Sequence, residues 1–515
     1  MSAPSTHRIG LSHSATLHGV TAFPVTVETD IGGAVPNFII LGLADKAVQE
    51  CRDRIRAAAK SVGLPLPPQR ITVNLAPANT PKAGAHFDLA ILMSIFDKSE
   101  LLIGAERTFF AAELGLDGTV KPVRGILPML LAARDNGLTQ AVVAADNAAE
   151  AGLVTGITVK GYNHLSEVLN DFLDDPRISL PEPAVGQKLT PAERREVSDR
   201  AVLDMSQVSG QAQARFALEV AAAGRHHLLL VGPPGAGKTL LAQRLPTILP
   251  ALSVDEALEA TAIASLWRTE GTIEGLRTTP PFVDPHHHAS TSAIIGAGRP
   301  SAPPGAITQA HRGVLFLDEA PEFKRDTLEA LRQPLEAKKV TVMRAGATID
   351  YPCDFQLIMA ANPCPCGYNP SAQCRCTPQQ RHRYNTRLSA PLLDRIDLQV
   401  RVEPVKAENL GQSSEHETSA TIAARVNAAR QRQRARLQEF GYELNSEIDM
   451  LLATGALKLP ASTRRNLDRH LERGLLTARG YLRVIRIAWT LADLRGIEMP
   501  DMGCVDAAFT LRMNF

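Results

Sequence analysis

The stretch HHLLLVGPPGAGKTLLAQRL, residues 226–245, sets a glycine-rich turn between an apolar run and a helical pattern. It fits G-x-x-x-x-G-K-[ST], a loop whose backbone amides cradle phosphate. Pro233 and Pro234 have no N–H, so the cradle falls to the amides of Gly235, Ala236, Gly237, Lys238 and Thr239. Glycines, beginning with Gly232, let the backbone close on an anion without a Cβ clash. The following helix turns its N-terminus toward the same anion. In this pattern Lys238 reaches the β and γ oxygens of a nucleoside triphosphate, and the Thr239 hydroxyl ligates Mg²⁺. ATP and Mg²⁺ are therefore the expected cofactors.

Eighty residues beyond Lys238 comes GVLFLDEAPEF. Its apolar run predicts a buried strand ending in Asp318 and Glu319. A carboxylate at a strand end can hold Mg²⁺ through water, and the next can orient the attacking water. Asp318 is assigned to the metal and Glu319 to water activation. A third strand, FQLIMAANP, ends in Asn362. A polar side chain at the tip of a strand beside the phosphate strand could hold the nucleophilic water or sense the γ-phosphate.

Four of the seven cysteines follow directly, as Cys364, Cys366, Cys374 and Cys376 in the spacing C-x-C-x₇-C-x-C. Four thiolates in one short loop can meet tetrahedrally around Zn²⁺ and staple a segment too poor in apolar residues to fold alone. The reading is structural zinc rather than free thiols or a redox centre. Cys51, Cys353 and Cys504 are expected to be ordinary buried thiols. The run His286, His287, His288 tempts a metal reading too. Neighbours on an extended loop point in alternating directions, so a structural or pore-loop role is preferred.

The elements that must hold these groups are legible along the chain. In residues 1–173, strands such as PVTVETDI and RITVNLAP alternate with helices, and Gly63 is a helix stop. AELGLDGTVKPV reads as a hairpin turning at Asp117 and Gly118. Residues 174–200 are rich in proline and charge and predict a linker. Residues 201–403 carry the phosphate loop and its companion strands. Residues 404–515 are helical, with a polar loop near GQSSEHETS.

The bulk composition of the 515 residues, 44% hydrophobic and 21% charged, suits a globular chain with a real core. No apolar run reaches the ~18 residues of a membrane helix, and the polar N-terminus shows no secretory signal. The clustered, odd-numbered cysteines point to a reducing compartment, and the expected location is the cytoplasm. A net charge of +1 does not announce a nucleic-acid binder. Locally, residues 421–497 hold 14 Lys and Arg against 7 Asp and Glu, and Arg375, Arg381, Arg383 and Arg387 have no acid among them. Such surfaces can face a polyanion, although on charge alone an ordinary solvated helix face is the preferred reading. With aromatics at 4%, phosphate contacts rather than base stacking would carry any DNA binding.

GPPGAGKT, LFLDE, the strand-end Asn362 and LSAPLLDRIDL together resemble AAA+ ATPases, and more narrowly their magnesium-chelatase-like branch. That resemblance implies that Asn362 is sensor 1. It implies that Arg395, in LLDRID, is the arginine finger that reaches a neighbouring subunit's γ-phosphate. It makes Arg479, in LTARGYLR, sensor 2 on a helical lid, with Arg483 one turn further on. The long segment from about 250 to 312 and the hairpin KKVTVMRAGATIDYPCDF would face the pore of a ring, where Lys338, Lys339 and Arg344 are candidate contacts. Residues 1–173, through NTPKAGAHFDLAIL and AELGLDGTVKPVRGILPMLLAA, are similar to the proteolytic domain of Lon. The catalytic serine position of that family is occupied here by His86, and the helix that should carry its lysine reads ILPMLLAARD. A Ser-Lys pair needs both partners, so no peptidase activity is expected. Asp88 and His86 could pair, but no nucleophile is evident beside them.

With GLADKAVQECRDRIRAA, NLAPANTPKAG, PHH, LRQPLE and NPCPCG in order, the whole chain resembles the ComM/YifB group of magnesium-chelatase-like ATPases. The implied fold class is α/β: a Lon-protease-like (ribosomal S5 domain 2-like) α+β domain, an AAA+ parallel-sheet core and a C-terminal helical lid. The implied function is a homo-oligomeric ring motor, a hexamer, that acts on branched or single-stranded DNA as a branch-migration helicase in recombination or natural transformation. A metal-chelatase-type motor subunit is the first alternative, although no D-x-S-x-S metal site of its partner domain occurs here. A regulatory ATPase scaffold that moves no DNA is another.

Overall fold

Runs of consecutive apolar residues make strands buried on both faces of a parallel sheet, and LLLV at 228–231, VLFL at 314–317 and QLIMAA at 356–361 are buried at every position. The computed structural model describes residues 8–33, 35–42, 45–175, 178, 180, 203–267, 273, 275–297, 304–344, 347–404 and 417–512. Most of the expected linker, the polar loop near 411–416 and the segment 298–303 lie outside the described residues. The chain divides into two compact units. The first is drawn from Met1–Glu196, Thr261–Leu276 and Arg299–Pro303, the second from Val197–Ala260, Arg277–Gly298 and Pro304–Phe515.

The first unit holds strands β1 (Gly10–His18), β2 (Thr21–Gly32), β3 (Asn37–Leu41), β4 (Arg70–Ala76), β5 (Thr108–Ala111), β6 (Glu113–Leu114), β7 (Val120–Lys121), β8 (Gln140–Ala144) and β9 (Thr158–Tyr162). Seven of them form one mixed sheet in the order β3-β4-β2-β1-β5-β8-β9. β1, β2 and β4 pair antiparallel, and the remaining neighbours pair parallel. β6 and β7 form the expected hairpin, with Gly118 in its turn at φ 89°. Helices Asp45–Ser61, Asp88–Lys98, Ile126–Asp135 and Leu165–Phe172 belong to this unit. Its core gathers Phe38, Ile55, Phe87, Ile91 and Phe110.

The second unit contains β10 (Leu228–Val231), β11 (Phe282–Val283), β12 (Val314–Leu317), β13 (Lys339–Arg344), β14 (Ala347–Pro352), β15 (Gln356–Ala361) and β16 (Leu398–Arg401). Five of these make an all-parallel sheet in the order β11-β12-β15-β10-β16. β13 and β14 form the expected separate antiparallel hairpin. The helical C-terminal region runs through Ser419–Leu437, Met450–Thr454, Ala461–Glu472, Ala478–Arg495 and Met502–Arg512. Helix Ala478–Arg495 starts where the Thr477 hydroxyl accepts the Gly480 N–H at 3.0 Å, a cap worth about 1 kcal/mol. It stops at Gly496 in the left-handed region, φ 71°. Its Tyr481, Val484, Ile485, Ala488, Leu491 and Ala492 fall on one face and are buried. The opposite face is left to carry charge, and Arg479 lies on it in the first turn. The expected α/β class, with a parallel-sheet core and a helical C-terminal region, is the architecture observed.

Candidate nucleotide site

Parallel pairing brings the three chemically promising strand ends together. Val231 stands in register with Ala361, and Leu317 with Met359, so β10, β12 and β15 end on the same edge of the sheet. In open parallel sheets that carboxyl edge is where ligands bind. The phosphate loop leaves β10 there, and helix Lys238–Arg244 begins at its last residues. Gly235 and Gly237 adopt φ of 75° and 86°. A Cβ at either would meet nothing within 4 Å, so it is the backbone conformation, not space, that calls for glycine. The Ala236 N–H closes the loop on the Pro233 carbonyl at 3.3 Å.

A cleft of about 410 Å³ opens at this edge, lined by the loop from Pro234 to Leu240 together with Asp318, Glu319 and Asn362. Lys238 is buried and donates to Gly232 O at 2.7 Å, Pro233 O at 2.9 Å and Asn362 Oδ1 at 3.1 Å. Burial pulls its pKa below the ordinary ammonium value, while the Asp318 and Glu319 carboxylates oppose that shift. Thr239 Oγ1 donates to Asp318 Oδ2 at 2.6 Å. A hydroxyl and a carboxylate in contact at a phosphate loop are the donor set a hard divalent cation takes. Glu319 follows in the left-handed region, φ 50°, a costly conformation for a residue with a Cβ. Its carboxylate lies 3.1 Å from His287 Nδ1.

The sequence offered that histidine a structural or pore-loop role and no contact with Glu319. The three rings of His286, His287 and His288 do not diverge as expected. They lie side by side, with neighbouring centroids 4.3 Å apart, and His287 is the one turned to Glu319. Among the described residues, the only side chains grouped to hold one metal ion are the four cysteines. Their sulfurs lie within 4.8 Å of one another, with 3.4 Å between Cys364 and Cys366, 3.8 Å between Cys364 and Cys374 and 3.7 Å between Cys366 and Cys374. Tetrahedral zinc with Zn–S near 2.3 Å sets its sulfurs about 3.8 Å apart, so the cluster fits such an ion. Hydrogen bonds from the backbone at Tyr368 and Arg375 help bring the Cys366 thiol down to about 6, while burial and the neighbouring sulfurs push the Cys374 thiol up and the Cys376 thiol up to about 11. Cys51, Cys353 and Cys504 are buried and free of disulfides, as expected.

Arg395 and Arg479 are not in the nucleotide cleft of their own chain. Both line a second cleft of about 460 Å³ and meet at one carboxylate: Glu336 Oε1 is 2.8 Å from Arg395 and 3.6 Å from Arg479. Arg395 is nearly buried and also donates to Pro391 O at 2.7 Å. Arg479 keeps 59% of its side chain exposed. Arg483, one turn on, has 13% exposed and is committed to Asp397 in an ion pair. Burial would raise the Asp397 carboxyl, but Arg483 and His226 hold it well below the usual carboxylate range.

Two pore candidates are already paired. Lys338 bonds Glu447 at 2.7 Å and Lys339 bonds Asp350 across the hairpin at 3.0 Å, while the Arg344 side chain lies outside the described residues. Arg381 donates to Asn369 and Arg387 to Glu322, leaving Arg375 exposed in the cysteine loop and Arg383 exposed on helix Pro378–Asn385. In the first unit, His86 and Asp88 do not form a dyad. His86 Nε2 meets Ala15 O at 2.9 Å, and burial lowers its pKa to about 4. Asp88 takes a two-point bond from Arg54, at 2.6 and 3.1 Å.

A parallel sheet with a phosphate loop on its second strand from one edge, an acidic pair at the end of the strand two places along and a helical region behind defines a P-loop ATPase of the AAA+ type. Family models for the magnesium chelatase subunit ChlI match residues 204–410, those for subunit ChlI of Mg-chelatase match 27–147, and those for the ChlI C-terminal part match 416–512. The chain belongs to the ComM/YifB family of magnesium-chelatase-like proteins. It is 39% identical over 489 residues to the uncharacterized protein YifB of Escherichia coli K12, covering 94% of this chain and 93% of that one. It is 37% identical over 492 residues to the competence protein ComM of Haemophilus influenzae, covering 95% and 94%. A shorter similarity, 26% over 219 residues and 39% and 38% of the two chains, joins it to Lon protease 2 of Bacillus subtilis. No helix among the described residues is long and apolar enough to cross a membrane.

Proposed function

We propose that this chain is a cytoplasmic ATP-hydrolysing ring motor, a homo-hexamer, that binds branched or single-stranded DNA and drives branch migration. Its division into a Lon-protease-like domain at 1–173, a linker at 174–200, a core at 201–403 and a lid at 404–515 is part of that proposal. In it, the amides from Gly235 to Thr239, in the loop that begins at Gly232, hold the triphosphate. Lys238 exchanges part of its carbonyl and Asn362 contacts for phosphate oxygens. Thr239 and Asp318 hold Mg²⁺, which neutralises charge on the transferred phosphoryl group. Glu319 orients the attacking water and Asn362 senses the γ-phosphate. Arg395 and Arg479 act on the nucleotide of the adjacent protomer, and the four cysteines hold a structural Zn²⁺.

The observation that carries this reading is the pair of separate clefts. One holds the phosphate loop and acidic pair; the other gathers Arg395 and Arg479 around Glu336. Two half-sites on one chain become whole when a second copy brings its arginines to the first copy's phosphates. Transforming cells take up DNA, so the competence protein ComM among its relatives supports a DNA substrate. The deciding experiment is strand displacement on three-way and four-way DNA junctions. The wild-type chain should displace strands only with ATP and Mg²⁺, and Glu319→Gln should bind ATP yet displace none. An ATPase stimulated by a tetrapyrrole-insertion partner and indifferent to DNA would replace this reading with the chelatase one.

A further inference from the structure

The cysteine loop is built against the phosphate loop. Cys364 follows Asn362 by two residues, and Asn362 accepts from Lys238 at 3.1 Å. Ala361, one residue earlier, accepts the Gly232 N–H at 3.1 Å, so the strand feeding the cysteines is fastened to the start of the phosphate loop. On the other side, Gly367 directly follows Cys366, and its N–H donates to Cys364 O at 2.9 Å. A Cβ on Gly367 would stand 2.3 Å from Pro234 Cδ and 2.7 Å from its Cγ. The backbone beside a cysteine ligand therefore lies in van der Waals contact with the phosphate loop itself. The ring of Pro234 cannot swing aside as a flexible side chain would.

We propose that metal occupancy of Cys364, Cys366, Cys374 and Cys376 sets the shape of the phosphate loop, so that Zn²⁺ and nucleotide bind this chain with positive coupling. The inference rests on nucleotide binding at the phosphate loop and adds a partner site to it. With the four sulfurs drawn onto one ion, the turn from Cys364 to Gly367 becomes a rigid wall behind Pro234. Without the ion the turn loses its staple, because a short polar loop has little apolar surface to hold it. The phosphate loop then samples conformations that do not cradle phosphate. A coupling of this kind is reciprocal: whatever factor zinc adds to nucleotide affinity, nucleotide adds to zinc affinity.

The test uses the full chain, loaded with Zn²⁺ or stripped by chelator, with folding followed by circular dichroism. Binding of a fluorescent ATP analogue should weaken about tenfold on stripping. In the reverse direction, a saturating non-hydrolysable ATP analogue should tighten zinc, read from competition with a chromogenic chelator, by the same factor. Gly367→Ala keeps all four thiols and should keep one zinc per chain while nucleotide affinity falls. Gly474→Ala shares a left-handed φ of 68° but meets nothing within 4 Å, so it should leave affinity unchanged. Equal nucleotide affinity in loaded and stripped protein, unaltered affinity in Gly367→Ala, or a chain that takes up no zinc, overturns the coupling. If stripping unfolds the chain, the Gly367→Ala and zinc-competition arms decide. A zinc-loaded chain that binds no nucleotide at all instead overturns the nucleotide reading beneath it.

Discussion

Arg395 lies 2.8 Å from Glu336, and the same carboxylate oxygen is 3.6 Å from Arg479. Two arginines that come from separate elements thus share one counter-ion within a single protomer. If they are to stabilise charge on a neighbour's phosphate, Glu336 is what that phosphate must displace. Glu336 is about half exposed, so water screens its pairs with both arginines, which are worth up to ~1 kcal/mol, about fivefold in an equilibrium constant. Glu336→Gln should therefore keep ATP affinity and lower the protein concentration at which ATPase activity appears by up to about fivefold. Arg395→Ala should keep ATP affinity and lose about a thousandfold in turnover. Mixing Arg395→Ala with Glu319→Gln should restore part of the activity, because each supplies the half-site the other lacks. Turnover against protein concentration checks the first, and the mixing series the second. No recovery on mixing would place the finger in its own chain.

The contact between His287 and Glu319 makes a second prediction. Glu319 is half exposed and its backbone is strained at φ 50°, so the carboxylate needs an outside partner to fix its direction. His287 Nδ1, at 3.1 Å, is that partner. A carboxylate that must orient water loses rate when its own orientation is lost. His287→Ala should lower kcat about tenfold with KM for ATP changed less than twofold, and His287→Asn, which keeps a side-chain donor, should recover part of the loss. Steady-state kinetics on the three proteins read this out. An equal fall in ATP affinity would assign His287 to binding.

The sequence made the phosphate site legible because its chemistry is local. Gly232 to Thr239 are contiguous, Asp318 and Glu319 are adjacent, and each motif ends an apolar run that could only be a buried strand. Parallel pairing then places those ends together. The hairpin at Asp117 and Gly118 was readable for the same reason, since its turn residues dictate a left-handed backbone at Gly118. What escaped were pairings made by tertiary folding. Three consecutive histidines give no sign that the middle one meets a glutamate 32 residues away. Glu336 ends the LRQPLE stretch, which marks the family and assigns that residue no role, and nothing local says that Arg395 and Arg479 converge on it. Lys338 looked free for a pore because its partner, Glu447, lies more than a hundred residues on. Arg479 and Arg483 were equivalent on a helical wheel, and only the burial of Asp397 separated them.

That buried pair carries the last prediction. Asp397 is 2% exposed, accepts from Arg483 and from the His227 N–H at 3.0 Å, and lies 3.6 Å from His226 Nδ1. It ties the start of β16 to helix Ala478–Arg495, and so fixes the helix whose first turn presents Arg479. Removing one partner of a buried pair leaves the other charge uncompensated, at a cost of about 3 kcal/mol. Asp397→Asn should destabilise the chain by that order, seen as a lower midpoint in thermal or urea unfolding. The carboxyl's folded pKa is depressed, so its contribution is present above the unfolded carboxylate value of about 4 and is lost as pH falls through the lower folded value. The gap between wild type and Asp397→Asn should therefore be full at neutral pH and narrow in strong acid. A gap that stays constant down to the acid limit would mean that the packing of the side chain, and not its charge, holds the helix in place.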